Sequence, residues 1–196
     1  MDFTFGIITY KDQEDNINRI IDSIEEQGID NYEIIIVGSF NGERKKTKVI
    51  PFDETIKHAW ISKKKNIITQ YALYENIVYL HDYVMLLEGW YEGYLNFGND
   101  FRVCMNPILN TDDSRFRDWT LWDYPVQGME EDEKLIPYDM IHLSAWMYIS
   151  GTYWVAKKNV MEEFPIDETL GHGEGEDVVW SFQVRNKYDF SMNTIS

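Results

Sequence analysis

The stretch "NIVYLHDYVML" (Asn76–Leu86) decides the fold class of this chain. An apolar, strand-like run ends in His81 and Asp82, and a second apolar run follows at once. A buried strand gains nothing from a carboxylate at its end, whereas ligands of open α/β sheets bind beyond the carboxyl ends of the strands. The pattern predicts a strand that leads into a binding site, with a turn capped by Asp82 as the alternative.

The segments before this stretch predict a parallel sheet. "FTFGIITY" (Phe3–Tyr10) and "YEIIIVG" (Tyr32–Gly38) are continuous apolar runs, which are typical of strands buried on both faces. A helix is predicted between them from isoleucines at helical spacing, namely Ile17, Ile20, Ile21 and Ile24. Ser62 is a candidate N-cap for a second helix. We therefore predict an α/β domain, a three-layer sandwich with a mostly parallel central sheet.

The segments after it continue the alternation. "FRVCMN" (Phe101–Asn106) predicts a strand, and "AWMYISGTYWVAKKNV" (Ala145–Val160) predicts strand, turn, strand and helix. Asn110–Asp139 has no clean period and mixes aromatic with acidic residues; an irregular segment of this length is usually functional. The last run, "FSMNTIS", reads as a strand that stops at the final residue, so we expect that the native chain continues.

Composition limits the classes of function. The chain has 196 residues with a formal net charge of -16, which suits a single domain and disfavours nucleic acid and anionic lipids as partners. Its single cysteine, Cys104, rules out an internal disulfide. No run approaches the roughly 18 apolar residues of a membrane span, and the N-terminus lacks the basic region of a signal peptide. We expect a cytoplasmic protein, with peripheral membrane association left open.

The motifs, taken in order, resemble the nucleotide-sugar glycosyltransferases of the GT-A fold, and most of all family 2. They are "GIITYK", "EIIIVG", "KKNIITQYALYENIVYLHDYVMLLEGW", "SGTYWVAKK" and "GHGEGEDVVWSFQVR", so that the resemblance covers nearly the whole chain. It implies a Rossmann-like GT-A domain over residues 1–196. Residues 1–105 would then bind the nucleotide sugar, and residues 106–196 would bind the acceptor and supply catalysis.

The resemblance implies a donor site at the strand ends. Thr9 and Tyr10 match the segment that contacts the nucleotide base. Lys65 and Asn66 match the stretch that faces the nucleotide or its diphosphate. The family usually has an Asp where the second strand ends, but here Gly38 stands there, which weakens the expected nucleotide contacts at that strand.

The resemblance also implies a divalent cation, Mn²⁺ or Mg²⁺. His81 and Asp82 stand where the family has an Asp-x-Asp motif, so Asp82 would contact the donor ribose or hold the metal on the diphosphate. His172 is the nearby candidate for the histidine that often completes the metal site. Because Asp82 is the only acid of the motif, weaker metal binding, binding through His81 and no metal at all remain open.

Catalysis would come from Glu176 and Asp177, called the acid pair below. They match the Glu-Asp pair from which the family draws its base, and an acceptor hydroxyl needs a carboxylate within hydrogen-bond reach. We expect Asp177 to be the base, since it lies further into the helix that the pair opens and is held more rigidly. An inverting transfer needs its base and its leaving group on opposite sides of the sugar. Asp82 and the acid pair are two separate acidic sites, which suits that arrangement.

The acceptor site is expected in the second half of the chain. Arg and Asp side chains can hydrogen-bond sugar hydroxyls, and Trp rings can stack on sugars, although packing in the core is the commoner fate of a Trp. The candidates are Arg115, Asp118, Trp119 and Trp154, with Trp122 and Trp146 as further members of a stacking platform.

The expected function is transfer of a hexose from a nucleotide-diphospho-sugar, a UDP-sugar first of all, to a glycan or other hydroxyl acceptor in polysaccharide biosynthesis. A catalytically inactive relative that binds nucleotide or glycan is the alternative, because the metal motif is thinned. A nucleotidyltransferase is disfavoured, since "ITYKDQED" lacks a Gly-rich, Arg-containing loop. A phosphohydrolase with a His-Asp motif is also disfavoured, because that class is helical and carries several dispersed histidines.

Overall fold

A computed structural model describes residues 1–121, 135–140, 147–171 and 173–196 of the chain. Strands and helices alternate along most of it. The elements are β1 (Phe3–Ile8), α1 (Glu14–Glu25), β2 (Tyr32–Val37), β3 (Thr47–Ile50), α2 (Ile61–Tyr71), β4 (Asn76–His81), α3 (Trp90–Phe97), β5 (Val103–Met105), β6 (Trp119–Leu121), β7 (Met147–Ile149), β8 (Tyr153–Lys157), α4 (Lys158–Glu163), α5 (Glu176–Val184) and β9 (Phe190–Met192).

Seven of these strands form one sheet in the order β3-β2-β1-β4-β8-β5-β9. Its first four strands are parallel, β8 runs antiparallel to both β4 and β5, and β9 is parallel to β5. Strands β6 and β7 form a separate antiparallel pair. The predicted α/β sandwich with a mostly parallel central sheet is confirmed.

Apolar side chains cover both faces of the large sheet. Phe3, Phe5 and Ile7 of β1 point to one side, where they pack in a cluster with the isoleucines of α1. Ile8 joins the cluster on the other side, together with Ile68 of α2. Burial on both faces explains why β1, β2 and β4 are continuous apolar runs rather than alternating ones. Within the described part of the chain, none of the helices combines the length and apolarity needed to cross a membrane.

Two glycines let the backbone approach closely near the predicted site. A Cβ atom on Gly6 would lie 2.3 Å from Cγ2 of Ile68, so the glycine allows α2 to pack tightly on β1. Gly38 follows β2 with φ of 139°, and a Cβ atom there would lie 2.2 Å from the carbonyl oxygen of Thr9. Glycine therefore stands at this strand end because a larger residue does not fit against β1.

The register of the sheet places the predicted donor residues on one edge. In the parallel pairs of β1, Ile8 lies opposite both Val37 and His81. The residues that follow these strands, among them Thr9 and Asp82, therefore emerge at the carboxyl edge of the sheet, where open α/β proteins bind ligands.

Candidate functional site

A cleft of about 610 Å³ opens beside this edge. Its wall is formed by the end of β4 at His81, by the turn Ser150–Thr152 between β7 and β8, and by the start of α5. Glu176 and Asp177 both line it, and Phe182 lines it further along α5. The cleft thus joins the predicted strand-end site to the predicted acid pair.

The carboxyl edge of the sheet where the donor is predicted to bind, called the donor edge below, is built from the residues after β1 and β4. The backbone N–H of Tyr10 donates a 3.3 Å hydrogen bond to Oδ2 of Asp82. The Tyr10 ring is 36% exposed and meets the His58 ring edge-on, with 5.5 Å between the ring centroids. Thr9 is buried, and its hydroxyl donates to the Tyr10 carbonyl at 2.8 Å. The structure therefore brings Thr9, Tyr10 and Asp82 together, with the Tyr10 ring open to solvent.

Two of the three lysines in the first turns of α2, Lys64 and Lys65, are buried and engaged within the protein. Lys64 Nζ donates to the Thr9 carbonyl at 2.7 Å and pairs with Glu54. Lys65 Nζ donates to the Gly151 carbonyl at 2.9 Å, lies 3.5 Å from Oε1 of Glu176 and is only 1% exposed. The prediction that Lys65 faces the diphosphate is wrong in this structure, because the side chain points across the core toward the acid pair.

Asn66 also turns away from the donor edge. Its side-chain amide donates to the Ile166 carbonyl at 2.8 Å and to Oε1 of Glu168 at 3.0 Å, and its oxygen accepts from the Ile166 N–H at 3.0 Å. Both ends of the amide are therefore used to hold the loop after α4. The predicted nucleotide contact of Asn66 is not compatible with this arrangement.

The acid pair begins α5 at the mouth of the cleft. Gly175 precedes it with φ of 74°, a left-handed conformation that favours glycine and turns the chain into the helix. Glu176 is buried, whereas Asp177 is partly exposed. Oδ2 of Asp177 accepts the Gly151 N–H at 2.8 Å, and Oδ1 accepts the Val178 N–H at 2.9 Å. These two donors fix the plane of the Asp177 carboxylate.

Burial and charge act on the acid pair in opposite directions. Burial raises the pKa of Asp177, the neighbouring Glu176 raises it further, and Lys65 and the two backbone donors lower it, with a net rise. Burial lowers the pKa of Lys65, against the effect of Glu176 and Asp177. A carboxylate with a raised pKa is a stronger base than an ordinary aspartate, which suits proton abstraction.

Asp82 is the carboxylate that the donor edge offers to a divalent cation. No three His, Cys, Asp or Glu side chains of the described residues come together as a metal site. Asp82 is half-buried. Mg²⁺ is commonly held by one or two carboxylates together with substrate phosphates and water, so Asp82 fits a cation that arrives with a diphosphate. His172, the second predicted ligand, lies outside the described residues.

The predicted acceptor residues have structural roles instead. Asp118 is fully buried and accepts hydrogen bonds from Arg115 Nε at 2.8 Å and from the Tyr138 hydroxyl at 2.6 Å. Trp119 and Trp154 are each 0% exposed. The burial of both rings contradicts the predicted stacking platform, whereas the acceptor role of Arg115, which is paired with Asp118, stays a prediction. Trp122 and Trp146 lie outside the described residues.

The cleft contains side chains that the sequence analysis missed. Phe182 and Arg117 line it, and so do the small residues Ser150 and Thr152. Phe182 is half-buried, and the Arg185 guanidinium lies 4.1 Å from its ring centroid. One signal was available: Val178 and Phe182 are four residues apart, and so share a face of the helix that the acid pair opens.

Comparison with known proteins supports the fold. No protein-family model matches the sequence, and no curated protein matches it either. The fold is similar to that of TarS from S. aureus. The structure of TarS residues 1–349 superposes with a TM-score of 0.67 at 12% identity, over 100% of this chain and 59% of that chain. This similarity confirms the predicted GT-A fold.

Two further TarS structures show the same similarity of fold. One superposes with a TM-score of 0.68 at 13% identity, over 100% of this chain and 36% of that chain. The other is TarS 1–349 in complex with UDP-GlcNAc, with a TM-score of 0.67 at 14% identity, over 100% of this chain and 57% of that chain. The chain thus spans less than two thirds of the TarS chains that it matches.

Proposed function

We propose that this chain is a glycosyltransferase that transfers a sugar from a nucleotide-diphospho-sugar to a hydroxyl acceptor, of which a glycan is the first candidate. The observation that carries the proposal is the shared cleft, which is lined both by Asp177 and by His81, the last residue of β4 and the chain neighbour of Asp82. The GT-A fold supports it. The UDP-GlcNAc complex of TarS makes UDP-sugars the first donors to test.

Asp177 is the proposed base. It is the more exposed member of the acid pair, while Glu176 is buried beside Lys65. Asp177 would take the proton of the acceptor hydroxyl as the acceptor oxygen bonds to the anomeric carbon. The bond from that carbon to the diphosphate breaks at the same time, so the electron pair leaves with the nucleoside diphosphate. Attack from the side opposite the leaving group would invert the anomeric centre.

The donor would lie along the edge formed by Thr9, Tyr10 and Asp82. The exposed Tyr10 ring offers an apolar face beside the half-buried Asp82 carboxylate. We propose that Asp82 contacts the donor and holds a divalent cation, Mn²⁺ or Mg²⁺, together with the phosphates. When bound, such a cation would neutralise the negative charge that develops on the leaving diphosphate.

A second candidate is a nucleotide-binding or glycan-binding protein of the same fold without catalysis. It is favoured by the engagement of Lys64 and Lys65 inside the protein, because both ammonium groups already donate hydrogen bonds to backbone carbonyls, those of Thr9 and Gly151. The cytoplasmic location, which the composition leads us to expect, and the role in polysaccharide biosynthesis, which the resemblance implies, belong to the first proposal.

Calorimetric titration tests the proposal. UDP and GDP are titrated, each with and without Mn²⁺, into the wild type, Asp82→Ala and the control Asp189→Ala, which replaces an exposed acid before β9. We expect metal-dependent binding of UDP that is lost in Asp82→Ala and kept in the control. UDP-GlcNAc turnover should then disappear in Asp177→Asn. Binding without turnover of any donor would favour the second candidate, and unchanged binding in Asp82→Ala would contradict the assigned donor site.

A further inference from the structure

Lys65 is a buried charged side chain for which the proposed chemistry has no use. It is 1% exposed, and its Nζ lies 4.5 Å from the centroid of the Trp154 ring. Its polar partners are the Gly151 carbonyl at 2.9 Å and Oε1 of Glu176 at 3.5 Å. Burying an ammonium group is costly unless it is paired and hydrogen-bonded. These two partners therefore have to offset the cost of burying the Lys65 ammonium group.

Both partners of Lys65 are directly connected to Asp177. The Gly151 residue accepts a hydrogen bond from Lys65 through its carbonyl and donates one to Oδ2 of Asp177 through its N–H, at 2.8 Å. Lys65 thereby helps to fix the backbone that orients the Asp177 carboxylate. Glu176 is the chain neighbour of Asp177, and an ammonium near two adjacent carboxylates offsets their mutual repulsion.

We propose that Lys65 is a positioning residue of the acid pair, which holds Gly151 and Glu176 in place and so sets the orientation and ionisation of Asp177. The inference rests on the proposed function in that it takes Asp177 as the base. Lys65 is the cation that lowers the pKa of Asp177 against burial and Glu176. The other charged or titratable side chains of the described cleft wall are Glu174, Arg117, His81 and Tyr148.

Carboxyl titration tests this role without any substrate. Protein labelled with ¹³C at the aspartate carboxyl groups is titrated by NMR, and the Asp177 signal is assigned with Asp177→Asn. The control is Lys63→Met on the same helix, because Lys63 pairs with Glu168 at 2.9 Å rather than with the acid pair. We expect Lys65→Met to move the Asp177 titration to higher pH and Lys63→Met to leave it in place. An unmoved titration in folded Lys65→Met would overturn the proposal.

The pH dependence of turnover provides a second test of the role of Lys65. In the pH profile of UDP-GlcNAc hydrolysis, the acidic limb should move to higher pH in Lys65→Met and return toward the wild-type position in Lys65→Arg, which restores a cation. A merely structural role would lower the rate without moving the limb. If the wild type does not hydrolyse UDP-GlcNAc, the failure falls on the proposed function, and the carboxyl titration still decides the role of Lys65.

A double-variant cycle covers the case in which Lys65→Met does not fold. Chemical denaturation midpoints are compared for the wild type, Lys65→Met, Glu176→Gln and the double variant. Because the double variant removes both members of the buried ion pair, its loss should be smaller than the sum of the single losses. A folded double variant beside an unfolded Lys65→Met also supports the pairing. Strictly additive losses would overturn it.

Discussion

The N–H of Gly151 and the Oδ2 atom of Asp177 are joined by a 2.8 Å hydrogen bond that links the β7–β8 turn to the start of α5. This bond fixes the position of the Asp177 carboxylate in the cleft. The turn and the helix come from separate parts of the chain. The proposed base is thus oriented by tertiary contacts rather than by its own helix alone.

Substituting Gly151 should disturb this bond directly. A Cβ atom at Gly151 would lie 2.8 Å from Oδ2 and 3.3 Å from Cγ of Asp177, so the carboxylate of a Gly151→Ala variant must shift. Misplacement of a reacting group by about 1 Å can cost 10²-fold in rate, and we expect a loss of about that size. The measurement is UDP-GlcNAc turnover, with thermal unfolding as the control for folding. Wild-type turnover in a folded variant would show that Asp177 is not the base.

The ionisation of Asp177 should make the fold less stable at neutral pH. Its pKa is higher in the folded state, so the ionised carboxylate destabilises the fold above the folded pKa, and this penalty vanishes as the pH falls below the unfolded value of about 3.9. Asp177→Asn should therefore unfold at a higher denaturant concentration than the wild type at pH 7. The gain should shrink in acid. A gain of equal size at both pH values would speak against the raised pKa.

Asp118 should be essential for stability and not for binding. Its carboxylate is fully buried and is shared by Arg115, Tyr138 and the N–H groups of Ile108 and Trp119. Removing one member of a buried ion pair typically costs about 3–5 kcal/mol, and we expect a decrease of that size in the free energy of unfolding of Asp118→Ala. Urea denaturation measures it. An unchanged free energy of unfolding would restore Asp118 as a candidate for acceptor binding.

Trp154 distinguishes a core residue from a sugar platform. Its ring stacks on Tyr79 with 4.6 Å between the centroids and is fully buried. Trp154→Ala should lower the free energy of unfolding by about 3–5 kcal/mol, as is typical of buried aromatic residues replaced by alanine. Trp154→Phe should keep most of the stability and leave UDP binding at the wild-type level. Loss of turnover in a stable Trp154→Phe variant would be evidence for a direct role of the indole ring.

The fold was predictable because its signals are local. The apolar runs of β1, β2 and β4 and the isoleucine spacing of α1 each lie within one short stretch, and register then carries Thr9 and Asp82 to one edge. The acid pair was recognisable for the same reason, since a Gly-rich turn precedes it directly. Apolar runs, helical spacing and a Gly-rich turn can all be read directly from a short stretch of sequence.

The directions of individual side chains were not predictable. Lys64, Lys65 and Asn66 are consecutive on α2, yet they contact Thr9, Gly151 and Ile166 respectively, which lie on three different segments. Which partner each one meets depends on how α2 packs against the end of β1, the β7–β8 turn and the loop after α4. The burial of Trp154 likewise depends on α5, whose Trp180 ring packs at 6.0 Å from it. Such contacts are set by the assembled core.

The position of β8 between β4 and β5 has a consequence for biosynthesis. Strand β4 pairs with β1 on one side, but its other side is covered only by residues 153–157, which leave the ribosome long after it. Until then, an apolar strand presents unpaired N–H and C=O groups, and such edges recruit strands from other molecules. Fragments that end before residue 150 should therefore aggregate, whereas fragments extended through residue 157 should aggregate less.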